Sequence, residues 1–277
     1  MRAIKMDMFV DLTETLLWSG WIKNTRPVSC IFVALPEHFK TGLLLPYKYT
    51  KGVMWVSDVT VRGLVDKIVE FTKTKKELNH IVVPDFLNAL SRQMSTVRHT
   101  LQFLNSVIYE GTAPIKTHYT DFGIEVNCGL ITAITTAKFF EKKKLWENIG
   151  FISRVIPVSY KYSYATRMEI ANGIAKVIVD DKMVDIKYKK IKFPKKKQSI
   201  KINLDFANEL KNLAMFLPKN YYFKKKVEAV IGFRLIESLT TLAKAHALKN
   251  KRREVIRDDV EKIKKYANFI NFRFTEI

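Results

Sequence analysis

Residues 31–44 read IFVALPEHFKTGLL. Ile31, Phe32, Val33 and Ala34 make a short apolar run of strand-forming residues, and Pro36, Glu37 and His38 interrupt it. After Lys40-Thr41 the apolar character resumes as Gly42-Leu43-Leu44-Leu45. The run therefore reads as strand, loop and helix start. The order matters because a loop ending in Lys-Thr, placed directly after a strand, has the polar end of a phosphate-binding loop.

The flanking sequence repeats the alternation. Strand-like runs stand at 28–34, 53–59, 80–84, 126–135 and 151–160, with helical patterns at 60–72, 86–109 and 137–147. Short buried β-branched runs separated by helices indicate a parallel sheet covered on both faces. The expected fold class is α/β. An amphipathic helix carrying Phe9, Leu12, Leu16 and Leu17 leads in through a linker ending at Pro27, and the core follows over 28–173. Residues 174–202 alternate as a basic hairpin with its turn near Asp180-Asp181, and 203–277 read as helical.

Of 277 residues, 47% are hydrophobic and 12% aromatic, which is enough for a large core and excludes wholesale disorder. The 48 Lys and Arg against 27 Asp and Glu give a net charge of +21, which favours a polyanionic partner such as nucleic acid. No apolar run approaches the roughly 18 residues that span a bilayer, and acids inside the first apolar stretch argue against a signal peptide. Cys30 and Cys128 both lie in strand-like runs and read as buried free thiols of a reducing cytoplasm. Neither they nor the five histidines have a zinc-ligand spacing, so no structural metal is expected.

A phosphate loop works because successive backbone N–H groups surround the phosphates, Lys reaches the terminal ones and a hydroxyl holds magnesium. The pattern G-x-x-x-x-G-K-[ST] falls on residues 34–41: Lys40 and Thr41 are in place, while Ala34 and Phe39 replace the glycines. Glu37 opposes phosphate unless it turns outward. A Lys-Thr pair at a helix start also arises without any ligand.

Further stations follow in order. HIVVPD (80–85) is an apolar strand ending in an acid; Asp85 would bind magnesium, or would cap the helix that begins in FLNALSRQM. The next position, where a water-activating Glu belongs, is Phe86, and Glu110 is the substitute carboxylate. The strand GLITAITT ends in Thr135 and Thr136, two hydroxyls where a polar sensor would orient water, and also ordinary strand formers. Ser153-Arg154 interrupts the apolar IGFISRVIPVSY. An Arg in such a run needs an anionic partner, either a neighbouring subunit's nucleotide or an internal carboxylate. In the C-terminal segment, Arg234 opens a helix striped with Leu235, Leu239, Leu242 and Leu248, KNKRRE breaks it, and Asp258-Asp259 caps the next.

RLIESLTTLAKAHA and REVIRDDVEKI (234–263) resemble the lid of minichromosome-maintenance-type helicases, close to R-x-L-E-S-L-x-R-L-x-x-A-x-A followed by x-V-x-x-x-D-V. SRVIPV (153–158) looks like that family's arginine-finger strand. ALPEHFKTGLL (34–44) is similar to its phosphate loop, which has the proline seen here as Pro36 and lacks the glycine before Lys. The resemblance covers roughly residues 28–267, and Ala34, Glu37, Phe86 and the missing sensor Asn depart from it. It implies an AAA+ P-loop core with an α-helical lid, ATP and Mg2+ as cofactors, and nucleotide contacts from Pro36, Lys40 and Thr41. It implies Arg154 acting across a subunit boundary, hence a homo-oligomer such as a hexameric ring, with Arg234 as a second sensor. It implies a hairpin within 114–135 that carries Lys116 to DNA. A small, lysine-rich, diverged motor of this kind suits a virus, plasmid or integrated element of a thermophilic archaeon.

KYKKIKFPKKKQSIK (187–201) carries Lys189, Lys190, Lys192, Lys195, Lys196 and Lys197 without an acid, interleaved with Tyr188 and Phe193. Spaced lysines suit sequence-independent phosphate contacts, and an aromatic among them can stack a base. The same lysines would also protect a solvated hairpin edge. The combined expectation is an ATPase acting on DNA, helicase-like or translocase-like; the alternative is a non-hydrolysing DNA-binding or scaffolding module.

Overall fold

Strands that are apolar on both faces need cover on both sides, and the chain supplies it. The computed structural model describes residues 5–74, 77–116, 121–179, 188–217 and 232–277. The first half forms α1 (Asp7–Ser19), β1 (Cys30–Ala34), α2 (Lys40–Leu44), β2 (Val53–Trp55), α3 (Val61–Lys73), β3 (His80–Val83), α4 (Leu87–Leu90) and α5 (Met94–Asn105). A hairpin of β4 (Thr112–Lys116) and β5 (Asp121–Glu125) precedes β6 (Gly129–Thr135), α6 (Thr136–Glu141), α7 (Lys143–Asn148) and β7 (Ile156–Lys161). Then come α8 (Tyr164–Val179), α9 (Leu204–Phe216), α10 (Phe233–Lys249), α11 (Arg257–Ala267) and β8 (Thr275–Glu276).

Six strands make one sheet in the order β2-β3-β6-β1-β7-β8, and all of its pairings are parallel. The expected parallel α/β core is therefore present. β1 is its centre: Ala34 lies beside Thr135 of β6, and Cys30 lies beside Ile156 of β7. The chain leaves β1 for the β2 edge, returns through β3 and β6, and crosses to β7 on the other side. In open parallel sheets, ligands bind beyond the carboxyl ends of the strands where the order reverses in this way.

Alternation along β1 divides the core into two layers. Phe32 and Ala34 join a layer with α1, α9, α10 and α11, while Ile31 and Val33 join the layer holding Leu64, Leu101, Phe86 and Trp146. α1 is anchored by charge as well as by its apolar face. Lys249 and Lys262 each lie 2.6 Å from Asp11, and Tyr266 donates to it at 2.7 Å. Burial raises the Asp11 pKa, but these hydrogen bonds more than offset that and hold it at about 2.

Three expectations need correction. Residues 174–179 belong to α8 and not to a hairpin, and 180–187, with the expected turn, lie outside the described residues. Val177, Ile178 and Val179 are consecutive apolar residues, so they fit the end of a helix begun at Tyr164 better than a strict alternation. Residues 188–202 form no strand ladder; they make only single bridges from Gln198 to Ile22 and from Lys201 to Glu254. The C-terminal seventy residues are not wholly helical, because Thr275 and Glu276 add β8 beside Tyr160 and Lys161. Two strand residues are too few to give a period.

Candidate functional site

At the carboxyl end of β1 the loop holds Glu37 and Phe39 at φ 62° and 55°. Phe39 occupies the second glycine position of the phosphate-loop pattern, and its φ 55°, ψ 17° is the left-handed conformation that glycine adopts freely. The backbone requirement that selects glycine is thus met by phenylalanine, at a cost of about 1–2 kcal/mol. Packing offsets it. Phe39 lies against the α1-side layer and covers Gly42, where a Cβ would meet the ring at 2.5 Å. Pro36 and Glu37 are exposed, so the Glu37 carboxylate has solvent available and need not face a phosphate.

Lys40 folds back over the loop, its Nζ donating to the carbonyls of Ala34 and Leu35. Burial lowers its pKa to about 8, against the opposing effect of the nearby Asp85 charge. Thr41 follows, exposed, and α2 is brief because Pro46 enters the 3-10 turn that succeeds it. Asp85 is exposed just beyond β3, and its Oδ1 accepts from the Leu87 amide at 2.9 Å. Asp85 is not the N-cap of α4, which is Phe86: its Oδ1 closes a local turn onto Leu87, and Oδ2 has no partner among the described residues. Thr135 and Thr136 complete this edge at the end of β6, and the Thr136 hydroxyl oxygen is buried without a partner.

Phe86 has no exposed surface and packs on Trp146 and Phe151, with ring centroids 5.9 and 6.1 Å away. The position that would carry a water-activating carboxylate is part of the core. The proposed substitute is elsewhere. Glu110 lines a cleft with Arg26 and Asn127, which precede β1 and β6, so it stands at the amino edge of the sheet.

Arg154 and Arg234 are at that same edge. Arg154 lies in the turn before β7, where its Nη1 donates to the Gly150 carbonyl at 2.8 Å and its Nε is buried without a partner. Arg234 donates to Ser153 Oγ at 2.7 Å. With Arg26, both surround the Tyr109 ring, at 4.4 Å (Arg26), 5.2 Å (Arg154) and 4.1 Å (Arg234) from its centroid. Burial and the Arg234 charge lower the Arg154 pKa, while Glu110 raises it. Roughly 13 Å of β1 separates this cluster from the Lys40 edge. Neither arginine can serve the Lys40 site of its own chain. Arg26 and Tyr109 escaped the sequence reading because only the fold brings residue 26 to residue 109.

No family model matches this chain, and no curated protein matches it.

The lysine-rich segment is split. Lys189 is paired with Glu14 at 2.8 Å, and burial lowers the pKa of Lys197 while Glu77 raises it. Lys190, Lys192, Lys195 and Lys196 are exposed, with no carboxylate partner among the described residues. Phe193 is not free to stack a base, because it is stacked on Trp21 at 5.1 Å. Lys116 ends β4 opposite Asp121 in the expected hairpin; its side chain is outside the described residues. Cys30 and Cys128 are free and buried. Among the described residues, no cluster of His, Cys, Asp or Glu suits a metal, and no helix is long and apolar enough to cross a membrane.

Proposed function

We propose that the chain is an AAA+-class ATPase acting on DNA, with C-terminal helices α9–α11 as its lid and a nucleotide site completed by a second copy. The observation that carries this is Lys40 folded over the end of the central strand, beside Asp85 and beyond a loop in left-handed conformation at Glu37 and Phe39. Backbone N–H groups of such a loop converge on an anion. In this reading Lys40 swings from the Ala34 and Leu35 carbonyls to the terminal phosphates of ATP. Thr41 and the free oxygen of Asp85 fit a magnesium ion, which when bound would neutralise phosphate charge. Thr136, with its unpartnered hydroxyl, is the candidate for holding the attacking water.

Arg154 and Arg234, together with Glu110, are on the amino edge, away from their own Lys40; in this reading they face a neighbour's. An arginine supplied in trans stabilises charge on the transferred phosphoryl group. An oligomer, a ring among the possibilities, follows from that division. Lys190, Lys192, Lys195 and Lys196 are the DNA contacts of this reading.

A second reading is favoured by Phe86. With an aromatic core residue at the catalytic carboxylate position, the fold would bind nucleotide without turnover and serve as a DNA-binding module. Nucleotide binding and ATP turnover, measured with and without DNA on wild type and Lys40→Ala, separate the two. Binding and turnover that Lys40→Ala abolishes support the ATPase, binding without turnover supports the second reading, and no binding removes both.

A further inference from the structure

Beyond the β2 edge, two tyrosines stand side by side in solvent. Tyr49 is 71% exposed and Tyr188 46% exposed, and their ring centroids are 4.8 Å apart at an interplanar angle of 63°. The pairing is built: the Lys189 amide donates to the Pro46 carbonyl at 2.8 Å, and Phe193 stacked on Trp21 anchors the same segment farther along. Residues 46–51 and 188–195, distant in sequence, thereby form one surface.

A cleft of about 680 Å3 opens there, lined by Lys48, Tyr49, Lys51, Phe71, Glu77 and Lys195. Lys48 lies 5.4 Å from the Tyr49 ring centroid and Lys51 lies 4.7 Å from that of Trp21, and neither forms an ion pair among the described residues. Glu77 is the acid of the cleft, and its charge acts on Lys197. The balance around the tyrosines is therefore positive, with Lys190 and Lys196 exposed nearby in sequence.

We propose that this cleft, with Tyr188 beside it against Tyr49, binds single-stranded nucleic acid, bases stacking on Tyr49 and Tyr188 and phosphates held by Lys48, Lys51 and Lys195. The proposal rests on the nucleic-acid part of the function given above and is independent of its nucleotide chemistry. Lysines alone would serve duplex and single strand alike, because both present phosphates. Exposed rings discriminate, since in a duplex the base faces are already stacked on each other. A tyrosine platform offers a single strand about 1–3 kcal/mol per stacked base, with little sequence preference.

The test is fluorescence anisotropy without nucleotide, using a labelled oligothymidylate, an oligouridylate and a blunt duplex. The Tyr49→Ala/Tyr188→Ala protein should lose about tenfold or more in affinity for at least one of the single strands, and less than about twofold for the duplex. Loss on oligothymidylate assigns the site to DNA; loss confined to oligouridylate assigns it to RNA. Tyr49→Phe/Tyr188→Phe should retain wild-type binding, because the ring faces remain. Equal losses on strand and duplex, or unchanged strand binding in the alanine protein, would overturn the proposal. Because no ATP is present, failure of the ATPase reading leaves this result interpretable.

Discussion

The ring of Phe39 covers Gly42 so closely that a Cβ on residue 42 would come 2.5 Å from the ring carbon Cε2. Phe39 and Gly42 are thus one arrangement: phenylalanine takes the left-handed position of the loop, and the glycine three residues later makes room for its ring. Gly42→Ala should push the ring off and destabilise the fold by about 1–3 kcal/mol. Thermal unfolding checks the cost, and ATP affinity should fall with it.

Lys40 titrates near the working range, its pKa lowered to about 8 by burial. The cation binds phosphate and the neutral amine does not. ATP affinity should accordingly weaken as pH rises through about 8, whereas Lys40→Arg, whose guanidinium stays charged, should give a flat profile. Calorimetric titration across that range decides it.

His80, the fully buried first residue of β3, has a pKa lowered by burial to about 3. The folded pKa lies below the unfolded value of about 6.5, so the unfolded chain takes up a proton first as pH falls. The stability that neutral His80 permits is complete above that value. It should decline between about 6.5 and 3 by about 1.4 kcal/mol per pH unit. Urea unfolding at a series of pH values measures the slope.

Phe86→Glu restores the residue type expected for water activation, yet it would place a carboxylate among Trp146 and Phe151. The predicted outcome is a loss of at least about 3 kcal/mol of stability and no gain in turnover. Denaturation and steady-state ATPase measurements on the variant test both halves.

The parallel sheet was legible because the strands announce themselves by unbroken apolar runs such as Cys30–Ala34, which only a doubly covered sheet explains. The same runs place Lys40, Thr41 and Asp85 at the carboxyl edge of the sheet, because each comes just after the loop or residue that ends a strand. What failed was local reading at an element end: Val177 to Val179 break the strict alternation of a strand and continue the helix already under way from Tyr164. The amino-edge cluster was hidden for a different reason. Arg26, Tyr109, Arg154 and Arg234 are spread over the chain, on the linker before β1, the turn after α5, the turn before β7 and the start of α10, and only the whole fold brings the three arginines to the Tyr109 ring. Tyr49 and Tyr188 are joined in the same way, by the pairing of a loop with a distant irregular segment.

In the proposed function one nucleotide site is divided between the carboxyl edge of one copy and the amino edge of another. Lys40→Ala retains Arg154 but cannot hold phosphate, and Arg154→Ala retains Lys40 but lacks the finger; each alone should fall about 1,000-fold in turnover. Mixing the two inactive proteins is the direct test. The mixture should regain ATPase activity well above either component, because some interfaces combine an intact Lys40 with an intact Arg154. A mixture no more active than its components, while wild type is active under the same conditions, would contradict the divided site.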